Sequence, residues 1–375
     1  MVHFGYGAMA GGLSGSIGGV QRQTSLLARW FAERGYEVSM LTWDEGQEDG
    51  VKISGVRILK MCRENAGIKG LRFFWPKWTS LNTAMRRADA DVYYQNCAEY
   101  VTGQVALWCH RHGRKFIYSV ANDPDCDAQL PEMRKVHDRL FYWYGLRTAD
   151  KVIVQTVRQR EMLQNHFQRD SVVIPMPCPG PSESEYVRFD RERGASQHVL
   201  WIGRVCEQKR PDRLLDLAWI CPDVHFDLVG PIADTEYSRG ICLRAGTIRN
   251  VTLHGPVSRD HIPEFFRNTR VMCCTSDFEG FPNTFLEAWC HGVPIVSTVD
   301  PDNVIAERGL GIVGKDVSEL ASGIHELLRS PEKWKKASQS ARAYYRDNHA
   351  LEKAMERFER IFCEVTDPGG RGENI

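Results

Sequence analysis

The stretch that most constrains this chain runs from Ser276 to Ala288 and reads Ser-Asp-Phe-Glu-Gly-Phe-Pro-Asn-Thr-Phe-Leu-Glu-Ala. Short apolar segments flank it on both sides, so the pattern predicts a strand, a loop, a short helix and a second strand. Asn283 is a suitable N-cap, which places Glu279 in the loop and Glu287 in the first turns of the helix. In open α/β sheets ligands bind at this end of the strands, and a helix N-terminus favours anionic oxygen. The stretch therefore predicts an anion-binding site; the alternative is an acidic surface loop followed by an exposed glutamate.

The length and composition predict two globular domains. The chain has 375 residues, of which 42% are hydrophobic and 26% charged, values that are ordinary for a globular enzyme. Four prolines lie between residues 175 and 181, and such a run indicates a stiff connector between domains. We expect an N-terminal domain over 1–177, a linker over 178–196, a second domain over 197–345, a C-terminal helix over 346–366 and a disordered tail over 367–375.

Charge and hydropathy argue against several classes of protein. The formal net charge is zero, so we expect no nucleic-acid partner. No apolar run approaches the length that spans a bilayer, and the first residues do not resemble a signal peptide. The 12 cysteines show no paired spacing typical of zinc, and several lie in apolar runs. We therefore expect a cytoplasmic protein with free thiols.

Two further loops are candidates for contact with phosphate. A glycine-rich loop from Gly7 to Gly19 follows a strand predicted over residues 2–6, but it matches neither the dinucleotide fingerprint nor the Walker P-loop. Its alternative is a mobile surface loop. Arg204 and Lys209 flank a turn between a strand and the helix that begins near Pro211. A guanidinium, an ammonium and a helix N-terminus together suit a diphosphate, whereas the alternative is a solvated basic loop.

Two other segments allow more than one interpretation. Asp123 and Asp125 lie in an Asp-x-Asp pattern that could hold a divalent ion against a diphosphate, but Asn, Asp and Pro are also ordinary turn residues. Aromatic and basic residues alternate from Ile68 to Trp78, a composition suited to a membrane interface. The alternative for Ile68–Trp78 is a helix packed on the core, with a solvated basic face that includes Lys69.

Several of these motifs together resemble a known family. Residues 279–288 and the following Gly-Val-Pro-Ile-Val resemble the Glu-seven-residues-Glu signature of nucleotide-sugar glycosyltransferases of family 4. Gly203-Arg204 and Lys209 match the family about 75 residues upstream of Glu279. The resemblance implies the GT-B fold, which has two Rossmann-like domains facing across a cleft and a C-terminal helix that crosses back onto the N-terminal domain.

The resemblance also implies a reaction and a role for individual residues. The reaction is transfer of a sugar from a nucleoside-diphosphate sugar to a glycan or lipid-linked acceptor, with retention at the anomeric carbon and without a metal ion or other cofactor. Members of the family often dock on membranes through the N-terminal domain, which implies that the Lys69–Trp78 region contacts the inner face of the membrane. The resemblance implies that Arg204 and Lys209 bind the leaving diphosphate, and that Glu287 binds the ribose. It implies that the loop of Val257 lies beside the base and that Gly18 and Gly19 lie beside the phosphates and the acceptor. The transferred sugar would be held by Glu279 with the backbone of Phe281, Pro282, Asn283 and Thr284.

One position departs from the family, and three rival functions stay open. Many members have a histidine near the reacting sugar where this chain has Ala121, Asn122 and Asp123, so Asn122 and Asp123 are the acceptor-side candidates. A nucleotide-sugar 2-epimerase has the same fold. A metal-dependent transferase of the GT-A type would use Asp123 and Asp125. A non-catalytic member would bind the donor without turnover.

Overall fold

The computed structural model describes residues 1–2, 6–10, 19–194 and 196–367. Contacts divide the chain into two compact units. The first contains Met1–Met176 together with Ala354–Ile375, and the second contains Pro177–Lys353.

The first unit is built on a mainly parallel sheet. The strands are β1 Ser39–Thr42, β2 Lys52–Ile53, β3 Val56–Lys60, β4 Val92–Asn96, β5 Lys115–Ser119, β6 Lys151–Val154 and β7 Val172–Val173. They form two sets in the orders β2-β3-β1 and β4-β5-β6-β7, and all pairs except β2 with β3 are parallel. Val2 makes parallel bridges to Leu41 of β1 and Gln95 of β4 and so joins the two sets. Val2 thus lies where the first strand was predicted, although residues 3–5 lie outside the described part.

The second unit is built on a six-stranded parallel sheet. The strands are β8 His198–Ile202, β9 His225–Val229, β10 Val251–Gly255, β11 Thr269–Cys274, β12 Ile295–Ser297 and β13 Gly311–Val313. Their order is β10-β9-β8-β11-β12-β13, so the first strand of the unit, β8, lies in the middle of the sheet. This strand order is that of a Rossmann-like fold, and the prediction of an α/β protein with two such domains is confirmed.

Helices connect most of the strands and cover buried apolar cores in both units. In the described residues they are α1 Gly7–Ala10, α2 Gly19–Glu33, α3 Thr79–Ala88, α4 Tyr100–His112, α5 Val136–Thr148, α6 Val157–Phe167, α7 Glu183–Arg193, α8 Pro211–Ile220, α9 Glu236–Ala245, α10 Ile262–Asn268, α11 Asn283–Cys290, α12 Val304–Arg308, α13 Val317–Arg329, α14 Pro331–Asn348 and α15 Leu351–Thr366.

Two local predictions were wrong. The glycine-rich segment is not a loop throughout, because residues 7–10 form α1 and Gly19 already begins α2. Residues 178–196 are not an extended connector, because α7 occupies most of them within the second unit. Ser182 caps α7, and the buried Arg193 at its end donates to the backbone oxygens of Phe266 and His291. The proline-rich segment therefore interrupts regular structure for a few residues only, and α7 begins after its cap, Ser182.

The last helix, α15, packs on the first unit as predicted. Its Phe362 ring lies 4.7 Å from the ring of Phe31 and 5.9 Å from that of Tyr94, and Glu359 accepts a 3.0 Å hydrogen bond from the hydroxyl of Tyr36. The apolar stripe of this helix thus covers α2 and the centre of the first sheet.

Candidate functional site

In the second unit, two loops follow the carboxyl ends of the neighbouring strands β8 and β11. The first, residues 203–210, carries the predicted phosphate ligands and is called the basic turn. The second, residues 275–282, carries the first predicted glutamate and is called the glutamate loop. Because β8 and β11 pair in parallel, both loops leave the sheet at the same edge.

Close backbone packing fixes the start of the basic turn. Gly230, at the carboxyl end of β9, has φ +144° and approaches Gly203 so closely that a Cβ atom there would lie 1.9 Å from the Gly203 oxygen. Gly203 in turn donates its N–H to the oxygen of Val229 at 3.0 Å. A side chain at residue 230 would push the turn away from the sheet, so glycine is needed there for Arg204 to keep its place.

Hydrogen bonds tie the backbones of the two loops together. The hydroxyl of Thr275 donates to the oxygen of Lys209 at 2.8 Å and accepts from the indole N–H of Trp201 at 2.9 Å. Asp277 donates its N–H to the oxygen of Gln208 at 3.0 Å, and the Gln208 amide donates to the oxygen of Phe278 at 3.1 Å. The two loops are therefore one rigid unit.

Ion pairs on the outer side reinforce this connection. Asp277 pairs with Arg213 of α8 at 2.8 Å and with Arg210 at 3.3 Å. The sequence did not predict a role in the site for Thr275, Asp277, Gln208 or Arg210. The only sequence signal for them is that polar residues follow both strands, which does not say that the two sets meet.

An ion pair between Lys209 and Glu279 lies at the centre of the site. The ammonium of Lys209 contacts Oε1 of Glu279, and the hydroxyl of Ser276 donates to the same oxygen at 2.6 Å. The Glu279 side chain is only 10% exposed, whereas that of Lys209 is 27% exposed. The lysine has further N–H donors, so it can contact an anion while it keeps the glutamate.

Arg204 lies on the basic turn and is exposed. No described residue makes a hydrogen bond or ion pair with its guanidinium. The structure thus holds Lys209 in place and leaves the planar donors of Arg204 available on the same turn.

The helix α11 begins where the glutamate loop ends. The N-cap position is Pro282 rather than Asn283, and no side chain caps the helix there. The first backbone N–H groups of a helix lack partners within it, so this end offers donors to an anion. Phe281 fixes the path of the chain into α11 because its ring packs 5.2 Å from that of His349 and 6.0 Å from that of Trp289. Glu287 lies one turn further along and is 7% exposed.

The remaining predicted residues of the donor site lie on α11, after β10 and on α2. Asn283 and Thr284 occupy the first turn of α11 and are half-buried. Val257 is half-buried in the loop after β10. Gly19 is the first residue of α2 in the first unit, and Gly18 lies outside the described residues.

Residues 121–127 form a turn after β5 in the first unit and are called the aspartate turn. The carboxylates of this turn bind groups of the protein itself. Asp125 is buried and accepts hydrogen bonds from the backbone N–H groups of Ala121 at 3.0 Å and Asn122 at 3.3 Å. Burial raises the pKa of Asp125 to about 6. Asp123 accepts from the amide of Gln159 at 3.1 Å and lies 3.3 Å from the guanidinium of Arg158. Both carboxylates of the Asp-x-Asp pattern thus bind protein donors.

A cavity of about 290 Å³ lies near this turn, at the carboxyl end of β4. Glu99, Glu132, Asp138, Arg134 and Lys135 give it a polar lining. Its walls come from the start of α4 and from the chain around the start of α5. These two helices pack closely because glycines face each other's backbones: a Cβ at Gly103 would lie 2.1 Å from the oxygen of Phe141.

Beside the cavity, the first unit exposes large apolar side chains. The Ile68–Trp78 segment is not a helix packed on the core, because Phe73–Trp78 forms one wide, kinked turn with no buried residue. Phe73 connects it to α5 through ring contacts with Phe141 at 5.6 Å and His137 at 5.3 Å. The exposed members, which we call the apolar surface, are Ile68, Leu71, Phe74, Trp75, Val136, Leu140 and Trp143.

The fold and this site define a class of protein. Two Rossmann-like units, with cations, a glutamate and an uncapped helix at the carboxyl edge of the second sheet, are typical of glycosyltransferases with the GT-B fold. Two family models match the chain in succession: a glycosyl transferase 4-like domain over residues 18–179 and glycosyl transferases group 1 over residues 184–344. The chain therefore belongs to the family 4 type of glycosyltransferases.

The curated relatives that the chain matches are named as glycosyltransferases. The chain is 25% identical to the D-inositol 3-phosphate glycosyltransferase of Mycolicibacterium vanbaalenii over 265 residues, which cover 64% of this chain and 58% of the relative. It is 26% identical to the amylovoran biosynthesis glycosyltransferase AmsD of Erwinia amylovora over 210 residues, which cover 53% of this chain and 58% of the relative. The matches thus span little more than half the length of these relatives.

The solved structures that resemble this chain share its fold at low identity. Sucrose-phosphate synthase from Thermosynechococcus elongatus superposes with a TM-score of 0.76 at 16% identity and covers 94% of both chains. HepE from Anabaena, solved in complex with UDP, superposes with a TM-score of 0.73 at 16% identity, covering 94% of this chain and 98% of its own. Among the described residues, no helix has the length and apolar character to cross a bilayer.

Proposed function

We propose that this protein transfers a sugar from a nucleoside-diphosphate sugar to a glycan or lipid-linked acceptor, with retention at the anomeric carbon and without a metal ion. The observation that carries the proposal is the joined pair of loops at the edge of the second sheet. There, the Lys209–Glu279 pair, the exposed Arg204 and the uncapped start of α11 lie on one rigid support.

The basic turn binds the diphosphate in this proposal. Arg204 presents a planar fork to phosphate oxygens, and Lys209 adds a point charge that Glu279 already orients. When the bond between the sugar and the diphosphate breaks, negative charge increases on the leaving oxygen. Preorganised cations stabilise that charge without reorganisation, which is commonly the largest contribution to catalysis. These two side chains would replace the metal ion that other transferases use.

The glutamate loop and α11 bind the rest of the donor. Glu279 and the backbone of residues 281–284 would hold the transferred sugar, since a carboxylate accepts from sugar hydroxyls and the helix N-terminus donates. Glu287 would accept from the ribose hydroxyls. The loop of Val257 would lie beside the base, and Gly18 and Gly19 would bind the phosphates.

The acceptor would bind to the first unit. Asn122 and Asp123 follow β5, and the polar cavity lined by Glu99 follows β4, which pairs with β5 in parallel. Both features are therefore at the carboxyl edge of the same sheet. The cavity provides carboxylates and cations for the polar head of an acceptor.

The apolar surface would bring the protein to the membrane that holds a lipid-linked acceptor. Seven large apolar side chains are exposed there, and basic residues such as Lys69, Arg72 and Arg139 lie between them in the sequence. Aromatic rings enter the headgroup layer and cations attract anionic lipid. Since Tyr100 lines the cavity and packs on Phe73 at 5.2 Å, the acceptor cavity borders this surface. We propose a location at the cytoplasmic face of the membrane.

Calorimetric titration with UDP, GDP and ADP in EDTA tests the donor site. We expect one of the three to bind, and Glu287→Ala to weaken that binding tenfold or more, because the ribose loses its acceptor. Glu264→Ala on α10 is the matched control and should leave the affinity unchanged. If no nucleotide binds until a divalent ion is restored, the metal-free donor site is wrong.

A further inference from the structure

A cluster of histidines surrounds one aspartate on the second sheet, away from the loops described above. His198 begins β8 and His225 begins β9, and the two are paired in register. Asp227 lies two residues after His225, so its side chain points to the same face of the sheet. His254 lies near the end of β10 and reaches the same carboxylate.

The distances within this cluster suit a metal ion. Nδ1 of His198 lies 2.9 Å from Oδ2 of Asp227, and Nε2 of His225 lies 3.6 Å from Oδ1. The three ligand atoms all lie within 4.8 Å of one another. Ligand atoms of a tetrahedral zinc site, with bonds of about 2.0–2.2 Å, are about 3.3–3.5 Å apart. Small rotations of these side chains would bring them to that spacing.

The surroundings orient the aspartate. Nε2 of His254 lies 2.7 Å from Oδ1 of Asp227, and its ring packs edge-on against Phe265 at 4.8 Å. Such outer contacts to a ligating carboxylate are typical of metal sites. The hydroxyl of Thr252 lies 3.0 Å from Nε2 of His225 and would give way to the ion. All three candidate ligands are half-buried, so solvent can reach the centre.

We propose that His198, His225 and Asp227 bind a divalent transition-metal ion of the zinc type, with His254 positioning the carboxylate. Two imidazoles and a carboxylate are ligands that zinc accepts, and they are the only group of three or more potential ligands found in the described residues. The ion would connect β8 and β9 near their amino ends. That end is about 17 Å from the basic turn along β8, given the rise of a strand. Its role would therefore be to fasten the sheet and not to act on the donor.

Zinc titration of the metal-stripped full chain tests this proposal. We expect one Zn²⁺ per chain by calorimetry, and a rise in Tm that Mg²⁺ does not produce. Substitution of Zn²⁺ by Co²⁺ should give the visible absorption of a low-symmetry site with nitrogen ligands. Asp227→Asn keeps the shape of the side chain, and both it and His198→Ala should weaken Zn²⁺ binding tenfold or more.

The controls separate this site from the donor site. His110→Ala removes an exposed histidine of the first unit and should leave Zn²⁺ binding unchanged. His198→Ala should leave nucleotide affinity unchanged, so a failure of the donor proposal does not affect this one. The metal site would be overturned if wild type did not bind Zn²⁺ at tens of micromolar, or if His198→Ala and Asp227→Asn bound Zn²⁺ as tightly as wild type does.

Discussion

The glutamate loop and the aspartate turn both place carboxylates directly after a buried parallel strand, yet they use them differently. In the glutamate loop, Glu279 pairs with Lys209 and stays next to exposed cationic donors. In the aspartate turn, Asp125 is buried against its own backbone, and Asp123 binds donors of α6. A carboxylate that satisfies its own turn supports the fold, whereas one that is held by a partly exposed cation can serve a ligand.

The largest expected effect is that of replacing Arg204, whose guanidinium has no partner among the described residues. Arg204→Ala should reduce turnover by about 10²–10³-fold, because a preorganised charge at the leaving diphosphate is lost. The Tm should not change, since no described contact is removed. Steady-state kinetics and thermal unfolding measure the two quantities. Arg239→Ala removes an exposed arginine of α9 and should be neutral; normal turnover in Arg204→Ala would refute the diphosphate role.

The next effect compares the two loops directly. Glu279→Gln should lower turnover about 100-fold, and the loss of the charged partner of Lys209 and Ser276 should cost about 1–2 kcal/mol of stability. Asp123→Asn should change turnover only a few-fold, because Asp123 already binds Gln159 and Arg158 and the asparagine could still contact an acceptor. Kinetics of both variants with the same donor make the comparison, and a reversed order of the two losses would move the site to the aspartate turn.

The buried carboxylate of the aspartate turn predicts a dependence of stability on pH. The pKa of Asp125 is about 6 in the folded state, above its ordinary value, so folded protein binds a proton that the unfolded chain does not. Between pH 7.5 and pH 5 this group should add about 1.4 kcal/mol to the free energy of unfolding, and the gain disappears as pH rises through 6.

Urea unfolding at the two pH values measures this contribution. Asp125→Asn should lose the gain, whereas Asp234→Asn, which removes an exposed carboxylate, should keep it. If wild type and Asp125→Asn respond identically to pH, Asp125 is not a buried ionisable group of the turn.

The smallest effect concerns the apolar surface. The double variant Leu71→Ser/Trp75→Ser should bind vesicles with anionic lipid severalfold more weakly, because each side chain removes apolar area from water. Trp219→Ser/Leu243→Ser removes the same two residue types, which are at least as exposed, from the second unit and is the matched control. Vesicle sedimentation measures binding, and equal losses in both variants would show that no particular face meets the membrane.

Sequence patterns predicted the second unit better than the first. The strand β11, the loop and α11 follow from an apolar run, turn residues and a helix stop that act locally, and the start of the helix differs by one residue. The short strands β2 and β3 and the helix α5 of the first unit were missed, as was α7 of the second, because their residues are polar or mixed and depend on packing for their stability.

The contacts that make the site rigid were also beyond prediction. Thr275 bonds to Lys209 and Asp277 to Gln208 only because β8 and β11 become neighbours in the folded sheet. The cluster of His198, His225 and Asp227 depends on strand pairing in the same way. Residues 27 positions apart in sequence become adjacent through register, and no local pattern carries that information.

Hydrogen–deuterium exchange with and without the bound nucleotide tests the central claim most directly. If the glutamate loop and the basic turn hold the diphosphate, backbone amides of residues 203–210 and 279–285 should exchange more slowly in the complex. Amides of the aspartate turn should keep their rates, because its carboxylates act within the turn. Protection confined to residues 121–127, with none in the second unit, would contradict the account.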